Sequence, residues 1–227
     1  MSRDVADQHP AAEVKGIDLS PIQPTWTLPN ARFEVDDYNL KWLDSNKYDL
    51  IHARELLGTV PDWLQLYDNV YKALKPGGWI DQAEPSLFFV SDHNTLDEDH
   101  PYRQWGSMMV DAGEKAGMRF DIGQNIRGWM EEAGFVNVHE RRMPWTIGGW
   151  SNDEHEREIG QWNQVRLDLG VKDFCARRFT NQMSWQPEEI EVFCARLRAT
   201  FRDPKLYGYQ WAYFVYGQKP ETSDETE

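Results

Sequence analysis

Apolar and polar residues follow two alternating rhythms along this chain, one of period two and one of three to four residues. Residues 3–9 are polar and compatible with the end of a helix that Pro10 stops. Val14 to Leu19 leans apolar and gives the first predicted strand; Pro21, Pro24 and Pro29 then mark a loop. In ARFEVDDYN, Phe33 and Val35 alternate with polar neighbours, predicting a strand that ends on Asp36-Asp37. Tyr48 to His52 reads as a buried strand. Pro61-Asp62 opens a helix with Trp63, Tyr67, Val70, Tyr71 and Leu74 on one face. KPGG at 75–78 ends that helix in a tight turn, and WIDQAEP follows as a strand. The segment SDHNTLDEDHP at 91–101 reads as a solvated, mobile loop. Ile126, Trp129, Met130 and Ala133 form a further amphipathic helix closed by Gly134, and FVNVHERRMPW is the next strand. Residues 151–203 are helical in pattern: Ile159, Trp162, Val165 and Leu169 share one phase, and Ile190, Phe193, Cys194, Leu197 and Phe201 another. YGYQWAYFVYGQK alternates as a closing strand, and 220–227 is expected to be a disordered acidic tail. Strands joined by helical crossovers predict an α/β fold with a mostly parallel sheet.

Charge narrows the partners. Among 227 residues there are 38 acids against 24 bases, a formal net charge of -14 that repels phosphate backbones and argues against nucleic acid. A protein partner with a basic patch stays compatible. Cys175 and Cys194 lie in helical segments without metal-ligand spacing, which reads as reduced thiols in an intracellular protein. No long uncharged apolar run occurs, so no membrane association is expected, and with no basic localisation cluster both cytoplasm and nucleus stay open. His93 and His100 stand among acids without a tight ligand motif, so no metal is expected.

The chemistry-bearing residues gather at strand ends. Asp18 ends one strand, Asp36-Asp37 the next, His52-Ala53-Arg54 the third and Glu84-Pro85 the fourth. Ligands of open α/β sheets bind beyond the carboxyl ends of the strands. A carboxylate at the first position can accept both hydroxyls of a ribose, and one at the second can accept an adenine amino hydrogen. Acids also end strands as caps, so each alone is a weak signal and the ordered set carries the weight. His52 has the pKa range of a catalytic base, against the commoner role of a hydrogen-bonded core histidine, which is the expectation. Glu84 as a substrate-facing acid is set against helix capping or a surface ion pair, the expected role. The tryptophans from Trp129 to Trp211 are expected in core packing.

The segments GIDLSPIQP, FEVDDYNLKW, YDLIHARELLG and LKPGGWIDQAE resemble, in order and spacing, the fungal LaeA-like methyltransferases of the class I S-adenosylmethionine-dependent superfamily. The resemblance runs from about residue 4 to 219 and is densest from 16 to 84. It implies a Rossmann-like domain over 1–219, with a helical addition at 151–205 over the cleft and a final strand at 206–219. It implies S-adenosyl-L-methionine as cofactor, methyl transfer to a small molecule or a protein side chain, and a link to secondary metabolism or its regulation. By the same carry-over Asp18 holds the ribose hydroxyls, with Leu19 beside it among the cofactor-binding positions. Asp37, with Asp36 and the Tyr38 backbone, faces the adenine, and His52 and Arg54 line the cleft near the methionine end. No catalytic residue is singled out, because transfer from a sulfonium depends chiefly on positioning.

One feature of the family is not found. Its members begin with a strand and a glycine-rich turn, whereas the first glycine here is Gly16. The sheet is therefore expected to be N-terminally incomplete. The strands ending at Asp18 and His52 would then pair directly or leave a gap, and cofactor binding would be weak or lost. This feature and the acidic surface favour an alternative, a non-catalytic methyltransferase-like interaction protein in a regulatory complex; the retained acids favour the enzyme.

Overall fold

The computed structural model describes residues 2–21 and 26–221, in two compact units, residues 1–44 and 45–227. Part of the proline loop, 22–25, and the acidic tail from 222 onward lie outside the described residues.

The first unit holds α1 (Ser2–Gln8), β1 (Val14–Asp18) and β2 (Ala31–Val35). β1 and β2 pair in parallel, from Val14 opposite Ala31 to Asp18 opposite Val35. The carbonyls of Ala6, His9 and Ala12 surround the Asn30 side-chain nitrogen at 2.9, 3.2 and 3.0 Å. That one amide ties the end of α1 to the start of β2. Gly16 faces Phe33, whose ring stands 2.6 Å from where a Cβ would be, so this position has no room for a side chain.

The second unit holds β3 (Tyr48–Arg54), α2 (Trp63–Ala73), β4 (Leu74–Val90), α3 (Pro101–Lys115), α4 (Ile126–Glu132), β5 (Val136–Thr146), α5 (Glu154–Met183), α6 (Pro187–Phe201) and β6 (Tyr209–Gln218). Its strand order is β3-β4-β6-β5; β3 and β4 are parallel, and β6 runs antiparallel to both neighbours. The expected α/β class stands, and the pairing is mixed for a local reason. α5 and α6 run out and back, so the chain returns to where β5 stopped. Ile147 N–H donates to Gly208 O at 2.8 Å, and β6 starts opposite Thr146. Among the described residues β1 and β3 each have a hydrogen-bonded strand on one side only.

The turn at 75–78 forms where expected, but inside the strand. α2 stops at Ala73, Leu74 already pairs with Tyr48, and the ladder resumes at Trp79 opposite Leu50. Gly77 has φ +78°, which suits glycine, and Gly77 N–H and Gly78 O bond to Lys219 at 3.0 and 2.8 Å.

Two expectations need correction. The pattern assigns a loop to 91–101 and no element to 102–115, where the structure forms α3. It is a helix capped by the His100 ring, which accepts from Tyr102 N–H, with Pro101 in its first turn. Its glycines obscured it: Gly106 and Gly113 sit where a Cβ would stand 2.5 Å from Phe88 and 2.4 Å from Phe120, so close packing selected poor helix formers. The loop before it is tied down, through Asp92 to the Tyr209 hydroxyl at 2.9 Å and Asn94 to the Lys205 carbonyl at 3.0 Å.

The second correction concerns α5. Trp162 and Leu169 are 68 % and 75 % exposed, and Val165 is exposed with them. The buried face is instead Gly160, Asn163, Leu167, Val171, Cys175 and Phe179. Small and polar residues occupy the inward positions because the backbone of 146–148 comes close there. Asn163 donates to Thr146 O at 3.0 Å, and Gly160 O accepts from Gly148 N–H at 2.9 Å. A Cβ at 160 would stand 2.1 Å from Gly148 O. Gly160→Ala should therefore destabilise the protein by roughly 1–3 kcal/mol, outweighing the ~1 kcal/mol that alanine gains in a helix. Urea denaturation checks this, and a more stable variant would refute the close approach. α6 buries Ile190, Phe193, Cys194, Leu197 and Phe201, as its pattern predicts. α3, α5 and α6 share one core with Phe89 of β4.

Candidate functional site

In the first unit the parallel register places the acids together. Asp18 ends β1 directly opposite Val35, and Asp36 N–H donates to Asp18 O at 3.0 Å, so Asp18, Asp36 and Asp37 emerge at one carboxyl edge of two adjacent strands. Each carboxylate folds its own backbone with one oxygen: Asp18 Oδ1 accepts from Ser20 N–H at 2.8 Å, Asp36 Oδ1 from Asp37 N–H at 2.9 Å and Asp37 Oδ1 from Asn39 N–H at 2.9 Å. The second oxygen of each carboxylate is an acceptor. The edge is thus rich in negative charge, which favours a ligand that supplies donors. Tyr38 is half-buried, and its carbonyl accepts from the Trp42 indole at 3.0 Å. Leu19 is exposed.

The second unit holds the other expected positions. His52 lies opposite Asp81 in the β3–β4 ladder, and its Nδ1 is 2.6 Å from Asp81 Oδ2. Its Nε2 is buried and has no hydrogen-bond partner among the described residues. The Asp81 carboxylate thus orients the ring, in keeping with the expected core role, and leaves one orphaned nitrogen. Arg54 is exposed, with Nε 3.9 Å from Glu55 Oε1.

Glu84 departs from its expected role. It is 1 % exposed and neither caps a helix nor forms a surface ion pair. Its carboxylate accepts from Leu56 N–H at 3.0 Å, Leu57 N–H at 3.3 Å and the Gln82 amide at 3.1 Å, and the Tyr67 hydroxyl donates to Gln82 at 2.7 Å. Burial pushes its pKa from 4.5 up to about 7, against those hydrogen bonds. The same burial, with Glu84 nearby, raises the Tyr67 phenol. Period-two counting from Ile80 through Gln82 to Glu84 was the signal for this inward face.

Arg166, not singled out from the sequence, joins Glu55 at 3.5 Å and Asn163 at 3.1 Å, with its guanidinium over the Trp145 ring. Its place on the Asn163 side of α5 was hidden by the misread phase. A groove of about 440 Å³ lies between α3 and α6, walled by Met108, Trp185, Val192 and Phe193, with Gln104 and Arg196 at its polar margin. Among the described residues no helix is long and apolar enough to cross a membrane.

A family described as "Methyltransferase domain" matches residues 3–140. A methyltransferase of Aspergillus terreus, pytC, is 34 % identical over 95 % of this chain and 67 % of its own length. The secondary metabolism regulator LAE1 of Cochliobolus heterostrophus is 31 % identical over 96 % of this chain and 72 % of its own. Among solved structures, the Haemonchus contortus phosphoethanolamine N-methyltransferase 2 in complex with S-adenosyl-L-methionine covers 97 % of this chain and 46 % of its own, with 17 % identity and a TM-score of 0.56, which establishes a shared fold.

Proposed function

This chain belongs to the methyltransferase-domain family, and from that premise we propose that it transfers a methyl group from S-adenosyl-L-methionine in fungal secondary metabolism or its regulation. The observation that carries the reading is the acidic edge where Asp18 and Asp36-Asp37 end neighbouring parallel strands. Those residues fit the nucleoside half of the cofactor, since a ribose diol and an adenine amine present donors and the edge presents acceptors. Asp18, beside Leu19, takes the ribose hydroxyls; Asp37, with Asp36 and the Tyr38 backbone, takes the adenine side. When bound, the cofactor supplies an electrophilic methyl on sulfur. The role of the protein is to hold that methyl in line with an acceptor atom. A role for His52 and Arg54 near the methionine moiety is a separate proposal that rests on the family resemblance alone. The methyl acceptor is a small molecule or a protein side chain, and we assign its selection to the α3–α5–α6 layer with its apolar groove.

Calorimetric titration of the purified chain with S-adenosyl-L-methionine, carried to millimolar concentration, tests this. Asp18→Ala should weaken binding about 10- to 100-fold, the scale of one charge-assisted bidentate contact, with an unchanged circular dichroism spectrum. Equal affinity in the two proteins would remove the ribose role from Asp18.

A second reading, a non-catalytic interaction protein, draws on the exposed stripe of Trp162, Val165 and Leu169 along α5. Apolar side chains grouped on one exposed helix face suit a protein partner. Absence of saturable cofactor binding in the same titration would favour it.

A further inference from the structure

Cys175 on α5 and Cys194 on α6 are both fully buried, and their sulfurs stand 3.8 Å apart. We propose that these two residues are an intramolecular disulfide site, oxidised by peroxide, that staples α5 to α6. The inference is independent of the cofactor reading, because it rests on the helical layer alone.

The geometry favours this bond. The two helices already pack with their thiols hydrogen-bonded, so closing from 3.8 Å to a bond of about 2.05 Å asks for a small side-chain adjustment. The two thiols share one hydrogen bond that either sulfur can donate, and the positive charge of Arg198 favours the thiolate at both. Either sulfur can therefore attack; with Cys194 attacking, Cys175 resolves, and the mirrored roles give the same bond. In the first step Cys194 thiolate attacks one oxygen of hydrogen peroxide, breaks the O–O bond and becomes a sulfenic acid, while the departing hydroxide takes a proton to leave as water. In the second, Cys175 sulfur attacks Cys194 sulfur and the sulfenic hydroxyl leaves as water with the Cys175 proton. Two thiols lose two electrons to one peroxide, which becomes two waters. Full burial means that only a small oxidant reaches the pair without the helices parting. The bond would also join segments that meet only in the folded state: Cys175 packs in a core with Phe179, Phe193 and Leu197.

The test treats the purified full chain with a small excess of hydrogen peroxide, then unfolds it in guanidinium with N-ethylmaleimide. The untreated chain should take two maleimide groups and the oxidised chain none, with a tryptic peptide linking positions 175 and 194 that dithiothreitol cleaves. The oxidised chain should melt about 6–12 °C higher, the shift expected for closing a loop of this size in a protein of this length. Cys194→Ser should show no shift, and its circular dichroism spectrum controls for folding. Two maleimide groups after peroxide, sulfinic acid without a link, a link between chains, or an unchanged or lowered melting point would each overturn the proposal.

Discussion

Phe179→Ala is expected to cost about 3–5 kcal/mol in urea denaturation, whereas Leu169→Ala, ten residues earlier on the same helix, should stay within about 0.5 kcal/mol. Phe179 is fully buried, with ring centroids of Trp185 and Phe193 at 5.2 and 6.0 Å. Truncation removes those contacts and leaves a void that the packed α3–α5–α6 core cannot close without moving backbone. Leu169 faces outward, so its removal exposes nothing new. The pair of variants tests the inward phase of α5 itself. A large loss at Leu169 with a small one at Phe179 would restore the phase that the sequence suggests.

The second large effect belongs to Glu84 and is read as a pH dependence. An acid whose folded pKa is raised from 4.5 to about 7 binds its proton more tightly in the folded protein than in the unfolded chain. Its contribution is therefore fully present below about 4.5 and is lost as pH rises through about 7, a total of about 3 kcal/mol. Glu84→Gln cannot ionise, so the variant should lack this slope. The difference in unfolding free energy between wild type and Glu84→Gln should shift toward the variant by about that amount between pH 4.5 and pH 8. Parallel profiles for the two proteins would show that Glu84 titrates normally.

Much of this fold was legible because its signals are local. Alternation gave β2 and β6, and short apolar runs gave β1 and β3, close to where they are observed, and Asp62 ahead of an apolar face gave α2, where its carboxylate accepts from Gln65 N–H at 3.0 Å. The acids at the ends of β1 and β2 were visible as residue types at positions where α/β sheets take ligands. What failed did so where packing overrode propensity. Gly106 and Gly113 look like helix breakers, yet each sits inside a helix because a neighbour leaves no room for a Cβ. Glu84 looked like a surface acid because charge is usually solvated, and here two backbone amides and a glutamine amide hold it inside.

The sequence by itself determined most of the strands and helices, the acidic character of the molecule and the order of carboxylates along the chain, since these depend on residues a few positions apart. Only the tertiary structure decided which side of α5 is buried, that β6 lies antiparallel between β4 and β5, and that Cys175 meets Cys194. Those outcomes turn on contacts between residues distant in the chain, and the free energy of packing depends on shape that no local pattern records.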